Sequence, residues 1–349
     1  MSLHRDDLLA ITRPAGPEAG SYRLPVAALA EQLATPPVLG ITGLLWSTVP
    51  PAAANNWEAV CWSPELQLYA AVASSGSGNR VMTSSDGIRW SSQPVAADRN
   101  WLAICWAAEL GLFVAVSGSG TGQRVMTSAD GRSWTLRRTP ADNNWSSICW
   151  SPELGLLVAV ARSGTGNRVM TSSDGSEWTA GPAAADLVWR SICWAPQLGL
   201  LVAVSSSGES ERVMTSDDGR NWTLRTAAAA NNWAALCWAA ELGLLVAVSS
   251  SGTGDRVMTS SDGIHWSSRS SASDNVWTSL CWSPQRQLLV AVASSGSGIR
   301  IMSSADGLNW TTRNSPADLA WRSICWSPQH RQFAAVSFSG TGNWVMVSP

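Results

Sequence analysis

Apolar residues in this chain come in short runs, cut by small and polar residues. Trp101–Trp106 reads as a short apolar strand, Ala107–Gly111 as a turn, and Leu112–Val116 as a buried strand. Gly118–Gly122 is a glycine-rich loop, Arg124–Ser128 a third strand, Asp130-Gly131 a tight turn, and Trp134–Arg138 a fourth strand. β-rich runs of this length, separated by Gly, Asp and Pro signals, predict antiparallel hairpins. No run carries the 3.6-residue period of an amphipathic helix, which excludes helical solenoids of similar repeat length.

The same pattern returns every 44 residues. Trp46, Trp90, Trp134, Trp178, Trp222, Trp266 and Trp310 form one series. Trp57, Trp101, Trp145, Trp189, Trp233, Trp277 and Trp321 form a second, and Trp62, Trp106, Trp150, Trp194, Trp238, Trp282 and Trp326 a third. These hold 21 of the 22 tryptophans; the seven cysteines are one further series, from Cys61 to Cys325, and seven of the eight methionines another, from Met82 to Met346. Four antiparallel strands per unit is the size of a propeller blade. The expected fold is therefore all-β, a seven-bladed β-propeller over residues 42–349, preceded by an arm over residues 1–41. The last unit stops at Val345–Pro349, after its third strand. Ile41–Val49 matches the missing fourth strand, with Gly43 in the register of Gly87 and Trp46 in that of Trp90. An N-terminal strand should thus close the last blade, which removes an exposed edge.

The turn before the fourth strand reads Thr83-Ser-Ser-Asp-Gly-Ile-Arg-Trp90, with counterparts at Thr127–Trp134 and Thr171–Trp178. Six copies in register resemble the Asp-box of sialidase-like (BNR) propellers, shortened by one residue between Asp and Gly. The resemblance implies a folding device: Asp caps turn amides, Gly supplies a positive φ, and Trp packs between blades. It also implies that this turn lies on one face of the ring. The Trp57 series and loops such as Gly76–Arg80 then lie on the other.

Composition narrows the function. Hydrophobic residues make up 45% and charged ones 14%, which excludes a disordered chain. Net charge is −2 and all 23 basic residues are Arg, so no basic footprint for nucleic acid exists. No apolar run is long enough to insert in a membrane, and Met1–Asp7 lacks the apolar core of a signal peptide. Sialidases use an Arg cluster, a Tyr–Glu nucleophile pair and an acid/base. Here the tyrosines are Tyr22, outside the repeat, and Tyr69, in a buried strand pattern. His4, His265 and His330 lack metal-ligand spacing. Glu209 and Glu211 alternate on one loop, where carboxylates are usually solvated. A sevenfold repeat is expected to offer no unique catalytic constellation. The expectation is a non-enzyme without cofactor or metal.

Multivalent binding fits a repeated surface. Two series are candidate glycan contacts: Trp57, Trp101, Trp145, Trp189, Trp233, Trp277 and Trp321; and Arg80, Arg124, Arg168, Arg212, Arg256 and Arg300, with Trp344 in the seventh place. Trp offers a flat face to a sugar ring, and Arg offers donors to hydroxyls. Both series also have core readings: the first as packing at the start of the inner strand, the second as a cation–π lid over a neighbouring Trp. The architecture resembles seven-bladed propeller lectins of the tectonin and Photorhabdus-lectin types. The cysteines, on strands that diverge from a channel, are expected to be free thiols.

Residues 1–41 read as a strand (6–13), a Pro-Gly turn (14–20), a strand (21–26) and a short helix (27–33). Asp7-Leu-Leu with Arg13, then Tyr22-Arg-Leu-Pro25 with Leu29, resembles a segment near the N-terminus of tailed-phage fibre and appendage proteins. That resemblance implies a receptor-binding protein of a virion tail, held to a tail or baseplate protein by residues 1–41 and presenting its other end to a cell-surface glycan. Alternatives are a virion scaffold that binds protein, a free bacterial propeller lectin, and a sugar hydrolase using Glu209 or Glu211.

Overall fold

The computed structural model describes residues 8–12, 21–25, 43–339 and 344–348. Contacts group the chain into Met1–Thr42 and Gly43–Pro349. In the first group Leu8–Thr12 pairs antiparallel with Ser21–Pro25, Leu8 opposite Pro25 and Thr12 opposite Ser21. The turn at 14–20 and the helix at 27–33 lie outside the described residues.

The second group is a ring of seven four-stranded antiparallel blades. Blade one runs Trp57–Ser63, Leu68–Ala73, Val81–Ser84 and Ser91–Gln93, from inner to outer strand. Five blades repeat that order. Blade seven runs Trp321–Ser327, Gln332–Ser337 and Val345–Ser348, and Ser47–Val49 is its outer strand. Thr48 lies opposite Met346, so the early strand closes the ring, as the repeat register predicts.

Strand alternation builds the core between blades rather than within one. On blade one, Val60, Ala71 and Met82 pack with Ala334, Val336 and Val345 of blade seven. The next residues along, Ala59, Ala70 and Val72, pack with Trp101, Ile104 and Phe113 of blade two. Small Ala and Val on the middle strands let neighbouring blades approach closely.

The turn between third and outer strands has the expected hydrogen bonds. In blade two the Asp130 carboxylate accepts from the amides of Arg132 (2.8 Å) and Ser133 (2.7 Å), and Ser128 Oγ accepts from the Gly131 amide (2.8 Å). Trp134 Nε1 donates to the Gly131 carbonyl at 3.1 Å. Gly131 has φ +71°, and a Cβ there would stand 2.8 Å from Leu68 of the adjacent blade. These amide donors hold the Asp130 carboxyl down to about 2. The same turn lowers Asp218 to about 2 and Asp174 below its ordinary value. A depressed folded-state value stabilises above the unfolded value near 4, and that contribution disappears as pH falls toward 2. Urea midpoints should therefore hold level from pH 7 to about 5 and fall steeply between about pH 4 and 2; a midpoint independent of acid would contradict these turns.

The seven cysteines are free and half-buried. Burial pushes the Cys105 and Cys193 thiols up to about 12. The thiolate is the reactive form, so a colorimetric thiol reagent at pH 8 should label fewer than one cysteine per native chain and all seven after denaturation.

Candidate functional site at the channel mouth

The Trp57 series is interior. All seven side chains, from Trp57 to Trp321, have no exposed surface. Each indole donates to the carbonyl four residues before it, as Trp57 does to Ala53 (3.0 Å), Trp101 to Ala97 (3.1 Å) and Trp233 to Ala229 (3.0 Å). A sugar cannot reach these faces while the blades are closed, so Trp57, Trp101, Trp145, Trp189, Trp233, Trp277 and Trp321 act as packing. The physical reason is that the residue opening the inner strand points between blades, where an indole satisfied by its own loop fills the wedge.

The Trp62 series ties neighbours together from the opposite end of the same strand. Trp62 donates to Gln329 (2.8 Å), Trp194 to Glu153 (2.6 Å) and Trp326 to Gln285 (2.7 Å), each partner lying on the preceding blade.

The Arg series is a loop clamp. Arg124 Nε donates to the Gly120 carbonyl (2.8 Å), and its Nη1 donates to the carbonyls of Gly118 (3.0 Å) and, before the next blade, Asn143 (2.9 Å). Arg168, Arg256 and Arg300 repeat this with Leu187, Asn275 and Leu319. Arg80 holds Gly76 and Ser74, and Arg212 reaches Asn231. The cation–π lid is thus replaced by carbonyl acceptors. Five of these arginines also face an aspartate: Arg80–Asp98, Arg124–Asp142, Arg168–Asp186, Arg256–Asp274 and Arg300–Asp318, at 3.4 to 3.5 Å. Each aspartate accepts from a loop glycine amide, as Asp142 does from Gly122 at 2.7 Å.

The two blades without that pair depart from the repeat in a coupled way. Ala230 and Ala54 stand where the others have Asp. In blade four, Ser210 replaces the loop glycine, and the third strand lengthens to Glu211–Ser216, with Glu211 opposite Thr226. Glu209 and Glu211 are therefore an exposed turn and strand start, with no converging partner among the described residues. In blade seven, Trp344 replaces Arg and is buried with Trp57 and Val49 against blade one. It exchanges a polar clamp for apolar packing at the seam.

The chemistry that does converge lies on the channel axis. The residue after each Trp57-series tryptophan is Glu58, Leu102, Ser146, Arg190, Ala234, Thr278 or Arg322. All seven line one cavity of about 170 Å³ where the inner strands meet, together with Arg162 from the loop after the second strand of blade three. Arg322 Nε donates to Glu58 at 2.8 Å, and Ser74 Oγ donates to the other Glu58 oxygen at 2.8 Å. Among the described residues, Arg190 and Arg162 have no such carboxylate. Burial, with the neighbouring arginines, lowers Arg190 to about 9 and Arg162 to about 10. Both remain cations at neutral pH. Arg162 Nε is buried and has no acceptor among the described residues. Three guanidinium groups and one carboxylate thus leave an excess of two positive charges inside a chain of net charge −2.

The ring therefore holds one unrepeated cluster of charged side chains at its axis. Sequence reasoning missed Glu58, Arg162, Arg190 and Arg322 because it followed what recurs. The signal was the column that does not: seven positions carry six residue types, flanked by an invariant Trp and small residues. Among the described residues no group of three His, Cys, Asp or Glu is placed to hold a metal, and no helix is long and apolar enough to cross a membrane.

No family model matches the chain, and no curated protein matches it. Solved structures do. Hydrazine synthase of Kuenenia stuttgartiensis superposes with a TM-score of 0.65 at 12% identity, over 82% of this chain and 93% of that one. The Cps50 (Swd1) β-propeller domain of Myceliophteria thermophila gives 0.64 at 12% identity, over 87% and 100%. A chain of a mitotic checkpoint complex gives 0.62 at 14% identity, over 90% and 94%. At such identities the likeness is one of fold: the chain is a seven-bladed β-propeller.

Proposed function

We propose that the chain is a binding module, the receptor-binding part of a tailed-phage appendage that presents the face bearing the glycine-rich loops and the channel mouth to host cell-surface glycans. The observation that carries the binding reading is the contrast on that face: six loop arginine clamps, five of them sharing one Arg–Asp pattern, surround one unrepeated, charged mouth. Residues 1–41 would attach to a tail or baseplate protein. Support for the attachment is the resemblance of that segment to tail-fibre arms, together with the antiparallel pairing of Leu8–Thr12 and Ser21–Pro25. The loop arginines Arg80, Arg124, Arg168, Arg212, Arg256 and Arg300 are half-buried and, in this reading, act as scaffold that holds the loops around the mouth, without touching the sugar.

Two measurements test it. On an array of bacterial surface glycans, the full chain should give saturable binding to a restricted set; binding to none would remove the receptor role. In a pull-down from the matching virion, the full chain should retain a tail or baseplate protein, and residues 42–349 alone should not. Retention by the ring alone would favour the alternative of a virion scaffold.

A further inference from the structure

The channel mouth has the makings of a site in its own right. It gathers residues from all seven blades, so the ring as a whole positions it. Its charge runs opposite to that of the molecule. Sequestered guanidinium groups without carboxylate partners carry a desolvation cost that folding alone does not offset. Nothing in the repeat requires them: other blades place Ala234, Leu102 and Ser146 at the equivalent position without altering the inner strand. Arg162 replaces the Ser or Gly found at five equivalent positions, such as Gly118 and Ser206, and its Nε is left without an acceptor among the described residues. One guanidinium of the three, that of Arg322, is already held by Glu58 at 2.8 Å and so is fixed in place.

We infer that the channel mouth is an oxyanion site, in which Arg162 and Arg190, with Arg322 held in place by Glu58, bind one carboxylate, phosphate or sulfate group. Arg is suited to such groups because its planar fork donates two parallel hydrogen bonds to paired oxygens. A positive cleft walled by low-dielectric strands focuses its field on an entering anion. A cavity of about 170 Å³ takes one charged group and the few atoms that carry it, not an extended chain. Ser146 and Thr278 complete the rim, but their hydroxyls already donate to the Trp189 and Trp321 carbonyls, at 2.6 and 2.7 Å. The arginines are left to supply the donors. Resting on the receptor reading above, this makes the recognised glycan an acidic one, carrying a uronate or an ester of phosphate or sulfate.

The test is calorimetric titration of the full chain at constant ionic strength with inorganic phosphate, sulfate and glucuronate, and with glucose as the neutral control. At least one anion should bind saturably with a Kd below about 10 mM, and glucose should not. Arg162→Gln and Arg190→Gln should each weaken that binding at least tenfold. Arg220→Gln, which removes the same charge from an exposed turn, should leave it unchanged. Both channel variants should melt no lower than wild type in the absence of anion, since each relieves repulsion between like charges. No saturable binding of any anion, or binding insensitive to Arg162 and Arg190, would overturn the site. Phosphate, sulfate or glucuronate binding in a chain that recognises no glycan on the array would uphold the oxyanion site and remove the receptor reading alone.

Discussion

A chain that begins at residue 50 should lose the strand that closes its ring. Ser47–Val49 supplies the outer strand of blade seven, and without it Val345–Ser348 becomes an unpaired edge. The same cut removes Gly43, whose amide donates to buried Ser348 Oγ, and Trp46, which packs against the blade six–seven core. Loss of a partly buried aromatic such as Trp46 costs about 2 kcal/mol before any backbone term is added. An open sheet edge also recruits other chains. The truncated chain should therefore melt more than about 10 °C lower and leave a sizing column as dimers or aggregates. A peptide spanning residues 41–50, added in trans, should restore part of the loss by strand addition. A monomer with wild-type melting would show that blade seven needs no closure.

Trp145→Ala should behave as a core lesion. The indole is fully buried in the interface between blades two and three, beside Val114, Val116 and Met170. Its Nε1 donates to the Ala141 carbonyl, which would be left without that donor. The expected destabilisation is about 3–5 kcal/mol. Trp101→Ala should cost about the same. Ligand binding measured well below the lowered melting point should be retained, because neither indole reaches the surface. Selective loss of binding with unchanged stability would return the Trp57 series to the role of a sugar platform.

Much of the architecture is legible in the 44-residue register. The invariant Trp, Cys and Met columns define the blades, and Gly43 with Trp46 in the register of Gly87 and Trp90 foretells the closing strand. Such features are visible because each unit must meet the same neighbour, so the same residue recurs. Burial of a strand-opening tryptophan was harder to read. An indole at a loop boundary can lie over a neighbour's backbone or face water, and the choice depends on the wedge between blades, which one unit does not contain. The Arg–Asp clamp was half visible, since Ala230 and Ala54 replace Asp in the two blades whose loops depart from the pattern. The channel cluster was the least accessible part. Arg162 lies 28 residues before Arg190 and 160 before Arg322 in the sequence, and only closure of the ring brings them to one axis.

The most direct measurement of the central claim, that the repeat is scaffold and recognition resides in the unrepeated mouth, is array binding by two combined variants. In the first, Glu58, Arg162, Arg190 and Arg322 are all changed to Ser. In the second, the loop arginines Arg124 and Arg256 are changed to Gln. The first should keep wild-type melting and lose glycan binding. The second should bind the same glycans with reduced thermal stability. Full binding by the first variant, or its loss only in the second, would contradict the account.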